Sequence, residues 1–105
     1  MTDALKYYLP LSKAVSAAQR GMSVVVICMN ERAKRDMVCE IRTMISVQDY
    51  DFPRQQKDPF CFLHGKLRIV SFSDMPKLYG RRFNWWTGEW DGRLRFWILS
   101  NVVAP

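Results

Sequence analysis

The sequence predicts an α/β protein, a layered sheet with two main helices and a C-terminal antiparallel hairpin, folded as a single domain over residues 1–105. Three observations lead there. MSVVVICMN is a continuous branched apolar run with no polar alternation, the pattern of a strand covered on both faces. Stretches with apolar residues at helical spacing stand on either side of it, and beyond residue 60 the apolar period shortens toward two. A chain of 105 residues, 49% hydrophobic and 25% charged, has the size and composition to bury one core and is not of the disordered class.

The first helix is expected from about residue 10 to 20. Pro10 suits a first turn, Leu11, Ala14, Val15 and Ala18 recur at helical spacing, and Gly21 stands at the stop, with Tyr7, Tyr8 and Leu9 as an apolar lead-in. After the central strand, Asn30 can cap a second helix and Glu31 favours its positive end. Ala33, Met37, Val38, Ile41, Met44 and Ile45 give that helix one apolar stripe, so it should span roughly 31 to 46. VQDYDFPRQQKDP then breaks the rhythm, being polar and aperiodic with two prolines, and is expected as a long connection.

FCFLHGKLRIVSFS holds two short apolar runs around His64-Gly65-Lys66, as in a tight hairpin, with Leu67, Ile69 and Ser71 on one face and Arg68, Val70 and Phe72 on the other. DMPKLYGRRF is expected as a turn or short helix. NWWTGE and RLRFWILSNVV read as two further strands joined through Trp90-Asp91-Gly92.

Several function classes are excluded at this level. The longest apolar run, MSVVVICM, is far short of a bilayer span, and MTDALKYYLPLSK has no charged leader followed by an apolar stretch. The expectation is a soluble, unprocessed protein. Three cysteines, odd in number and without Cys-x-x-Cys spacing, argue against zinc and a disulfide framework and suit a reducing cytoplasm.

The order of pieces resembles the interior of a RecA-like P-loop ATPase, as in helicases and large terminase subunits. There, a strand such as VVVICMN follows the P-loop helix, and a later segment of the form "nG-x-x-I-x-F-x-S…L-x-G-x-x-f-D" leads into the strand that carries the Walker B acid. Gly65, Phe72, Ser73, Leu78, Gly80 and Phe83 fit that form, Asn84 sits where an Asp often does, and Glu89 lies near the expected acid. The resemblance covers about residues 11 to 91 and lacks one essential part, because no Gly-x-x-x-x-Gly-Lys-Ser/Thr occurs anywhere. It therefore implies a reduced scaffold that has lost ATP hydrolysis, of a kind plausible in a bacteriophage genome.

No catalytic set is assigned. His64, the one histidine, sits in a turn with no nucleophile placed beside it by spacing. Glu89 and Asp91 could share a strand face toward a cation, but they straddle Trp90 beside a turn and lack further oxygen ligands. No metal and no cofactor are expected.

The stretch FNWWTGEWDGRLRFW contains all four tryptophans. Strand alternation puts Arg93, Arg95 and Trp97 on one open face and Leu94, Phe96 and Ile98 in the core, with Lys77, Arg81 and Arg82 extending the positive surface. Sixteen Lys and Arg against ten Asp and Glu give a formal charge of +6, which favours polyanions. Cations for phosphates and aromatic rings for bases are what a single-strand platform needs. The same residues also read as tryptophans packing a thin sheet, with arginines shielding its edge strand.

The expected function is a non-catalytic nucleic-acid-binding accessory protein, single strands favoured, acting by occupancy. The alternative is a protein-binding inhibitor or adaptor of a host nucleic-acid enzyme, with tryptophans as anchors. A third reading is a vestigial nucleotide-binding or nuclease-like enzyme using Glu89 and Asp91. An open edge strand could pair with a second copy, which leaves a homodimer open.

Overall fold

In the computed structural model, which describes residues 6–44, 61–62, 67–89 and 91–102, the branched run Val24–Cys28 forms strand β1 and is buried at all five positions. Burial on both faces follows from its place. The two-residue strand β2, Cys61–Phe62, pairs antiparallel with β3, Leu67–Ser71. β3 runs parallel to β1, and β4, Trp85–Gly88, runs parallel to β1 on its other side, giving the order β2-β3-β1-β4.

Parallel strands leave no face for solvent, so both need cover. Helices α1, Leu11–Gln19, and α2, Glu31–Met44, cover one face, where Val24, Val26, Cys28, Leu67 and Ile69 pack with Ala14, Val15, Ala17, Ala18, Val38 and Ile41. Three alanines on the inner side of α1 let it lie close to the sheet. The alternate residues Val25, Ile27, Val70 and Trp86 meet a second layer made by a 3-10 turn, Met75–Leu78, and a short helix α3, Arg95–Asn101.

Local chemistry sets the element ends. At the end of α1, the Met22 N–H donates to the Ala17 carbonyl and the Gly21 N–H to the Ala18 carbonyl, both at 3.0 Å, with Gly21 at φ 95°. This six-to-one and five-to-two pairing satisfies two orphan carbonyls and needs a left-handed residue. The Asn30 side-chain oxygen accepts the Ala33 N–H at 2.8 Å and caps α2 as the sequence expects. Leu9 N–H donates to the Trp86 carbonyl at 3.0 Å, so the lead-in at Tyr8 and Leu9 covers the outer edge of β4.

The C-terminal antiparallel hairpin is overturned. β4 forms, but the segment after it is a 3-10 turn at Gly92–Leu94 followed by α3, and the three longer strands of the sheet are all parallel. Two causes act together. β4 has β1 on one side and Tyr8–Leu9 on the other, which leaves no vacant edge for a hairpin partner. The sheet face carrying Val25, Ile27, Val70 and Trp86 needs a lid, and Leu94, Trp97, Ile98 and Val102, spaced three, one and four apart, supply it as a helix.

Several expectations lie outside the described residues: the connection VQDYDFPRQQKDP, the turn at His64-Gly65-Lys66, the end of α2 beyond Met44, and Trp90. Among the described residues, no helix is long and apolar enough to cross a membrane.

Candidate nucleic-acid interface

The cations singled out by sequence fall on two elements that the fold fastens together. After β3 the chain makes the 3-10 turn, burying Met75 and Leu78 against the sheet while Lys77 stays exposed. Tyr79, Gly80, Arg81 and Arg82 then run along the surface before Phe83 turns back into the core. Helix α3 is fixed to this segment by polar contacts. The Asn101 amide donates to the carbonyls of Leu78 at 2.9 Å and Arg81 at 2.8 Å, the Trp97 indole donates to the Met75 carbonyl at 2.7 Å, and the Phe83 N–H donates to the Asn101 carbonyl at 2.7 Å. Asn101 and Trp97 are both buried, which makes these bonds costly to break.

Lys77, Arg81, Arg82 and Arg95 are exposed and carry no ion pair among the described residues. Arg93 differs. Its guanidinium meets the Asp91 carboxylate in a fork, Nη2 to Oδ2 at 2.7 Å and Nε to Oδ1 and Oδ2 at 3.2 and 3.1 Å, and its own N–H is accepted by the same side chain. The Arg93 side-chain and backbone hydrogen bonds hold the Asp91 carboxyl below the usual carboxylate range. Asp91 thus caps the turn into α3 and pairs with Arg93, whose side chain stays 87% exposed.

Trp97 is corrected more sharply. Expected on the open face, it is 3% exposed, tilted against Phe83 with ring centroids 6.1 Å apart. Trp86 is fully buried and Trp85 half-buried. Among the described residues the exposed rings of this layer are instead Tyr79, at 60%, and Phe96, at 77%, the latter placed inside by the two-residue period. The signal for Phe96 is in the sequence: a helix joining Leu94, Trp97 and Ile98 on its inner side must turn Phe96 outward.

Sequence reasoning also missed a polar cluster at the carboxyl ends of β1 and β3. Lys34, at 6% exposure, places its ammonium 2.7 Å from Asp74 Oδ2 and 3.4 Å from Glu31 Oε2. The buried Ser71 hydroxyl lies 3.0 Å from Glu31 Oε1, 3.1 Å from Asp74 Oδ2 and 2.9 Å from the Ser73 hydroxyl, while the Ser71 N–H donates to Asp74 at 3.0 Å. Carboxyl ends of parallel strands are where open α/β sheets place ligands. Here the groups satisfy one another, and the cluster ties α2 to the loop after β3. Lys34 was unreadable because it is one of seven charged residues on α2, and nothing along the chain singles it out as the buried one. Glu89 follows β4 and is exposed, its N–H donating to the Ile27 carbonyl at 2.9 Å.

Among the described residues, no group of three or more His, Cys, Asp or Glu is placed to hold a metal ion. Comparison of the chain with protein-family models, with curated proteins and with solved structures returns no match.

Proposed function

We propose that this protein is a non-catalytic nucleic-acid-binding accessory protein that occupies single strands through the layer formed by the 3-10 segment and α3. The observation that carries the reading is the pinning of α3 to residues 75–83, which holds Lys77, Arg81, Arg82 and Arg95 on connected elements that also expose Tyr79 and Phe96. Four cations with no ion pair among the described residues would meet phosphates, and two exposed rings offer faces on which bases stack. Trp97 has a structural part in this scheme, as the bolt beneath the surface, and Arg93 is secondary.

The test is a salt titration of single-strand affinity. Arg81→Ala with Arg82→Ala should lower affinity and flatten the dependence of log K on log salt by about 0.7 per lost phosphate contact. Affinity that ignores both salt and the double variant removes the reading.

The alternative, a protein-binding inhibitor or adaptor of a nucleic-acid enzyme, is favoured by one observation: Phe96 and Leu99, three apart on α3, are both exposed, as anchors for a partner surface would be. That mode predicts binding nearly indifferent to salt and lost on Phe96→Ala. The RecA-like resemblance is proposed alongside, supported by the parallel neighbours β1 and β4 and by Glu89 following β4. A bacteriophage source and a reducing cytoplasm complete the proposal, the latter suited to the free thiols of Cys28 and Cys39.

A further inference from the structure

On the opposite layer, between α1 and the start of β4, a cavity of about 330 Å³ is lined by Leu9, Lys13, Ser16, Arg20, Met22 and Trp85. Its volume lies at the lower end of the range for small-molecule sites, enough for one ring system with a short arm. Lys13 and Ser16 are three apart on α1 and Arg20, four further on, caps its end, so the three exposed residues follow one side of the helix. Among the described residues, neither cation has an ion pair and no carboxylate lines the cavity. Anions are therefore the ligands the site attracts.

The rest of the lining, Leu9, Met22 and Trp85, is largely apolar and held in place. The Trp85 indole N–H donates to the Met22 sulfur at 3.2 Å, the Trp85 ring meets Tyr7 edge-on with centroids 6.1 Å apart, and Leu9 is tied by its N–H to the Trp86 carbonyl. An indole fixed on two sides loses little freedom when a planar group packs on it. We infer that this cavity is a binding site for an aromatic anion of mononucleotide size, a base-sized ring against Trp85, Leu9 and Met22 with its phosphate on Lys13 and Arg20. The site uses none of the residues of the basic layer and stands independently of the function proposed above.

The experiment titrates the intact protein with AMP, adenosine and inorganic phosphate by calorimetry, and follows the tryptophan indole N–H signals by NMR. AMP should bind saturably with Kd at or below about 1 mM, and adenosine and phosphate about ten-fold more weakly or less, since each meets only half of the site. One indole signal, lost in Trp85→Phe, should move. Lys13→Gln with Arg20→Gln, both exposed positions, should weaken AMP by about ten-fold while the melting temperature stays put. Lys77→Ala with Arg81→Ala and Arg82→Ala should leave AMP affinity unchanged, which separates failure of this site from failure of the single-strand surface. Competition by a 5′-phosphorylated trinucleotide would identify a strand end as the source of the nucleotide, and its failure to compete a free nucleotide. No saturable AMP binding, or equal binding by the Lys13/Arg20 variant, overturns the inference.

Discussion

Burying a cationic side chain is costly unless it is paired, and Lys34, at 6% exposure, has Asp74 at 2.7 Å and Glu31 at 3.4 Å. Partial burial pushes the Asp74 carboxyl up, but the hydrogen bonds from Lys34 and from the Ser71 N–H and hydroxyl outweigh it, so the group titrates below its ordinary value. A depressed carboxyl contributes stability that is present above its unfolded pKa of about 3.9 and is lost as pH falls through the lower folded value. Urea unfolding followed from neutral pH downward should show that loss below about pH 4, and Asp74→Asn should show less of it. Asp74→Ala should cost about 2 kcal/mol at neutral pH, under the usual figure for a broken buried pair because Glu31 remains beside Lys34. Cys28 offers a second residue-scale check. Burial first, then the Glu89 carboxylate, push its thiol up to about 11, with Lys34 opposing and Glu31 adding to the rise. A thiol reagent at about pH 8 should label exposed Cys39 readily and Cys28 only on unfolding, as read by peptide mapping.

For whole elements, α3 and the strand it might have been make opposite predictions about neighbouring residues. As a helix, α3 buries Ile98 and Trp97 and exposes Phe96; as an alternating strand it would bury Phe96 and expose Trp97. Phe96→Ala should therefore change stability by no more than about 0.5 kcal/mol, and Ile98→Ala should cost about 2 to 4 kcal/mol, measured by urea midpoint. A large cost at Phe96 would be evidence for the hairpin. Within the sheet, Gly88 sits at φ 113° where a Cβ would run into the Ile27 carbonyl oxygen of β1. Gly88→Ala would force β4 away from β1, and we expect a loss of more than about 3 kcal/mol, seen as a lowered melting temperature.

At the scale of the whole molecule, the formal charge of +6 biases encounter with polyanions but assigns no surface. Legibility followed the number of readings each segment allowed. VVVIC, five branched or apolar residues in a row, fits a covered strand and little else of that length, and it became the buried centre of the sheet. The two helices on one face, with Gly21 closing α1 and Asn30 capping α2, carried one period and standard end signals, and both formed. RLRFWILS fits two periods. Its arginines were correctly seen as surface residues, yet its aromatic residues were exchanged between inside and outside when strand became helix.

From the sequence alone came the α/β class, the central strand, the two packing helices and the exposure of Lys77, Arg81, Arg82 and Arg95, because each follows from spacing or charge within one short segment. Only the tertiary structure decided the form of the last segment, the burial of Trp97 and Lys34, and the pairing of Arg93. Local propensity was close to balanced there. The balance was tipped by an uncovered sheet face and by carbonyls of Met75, Leu78 and Arg81 waiting for donors some twenty residues away, which no window along the chain contains.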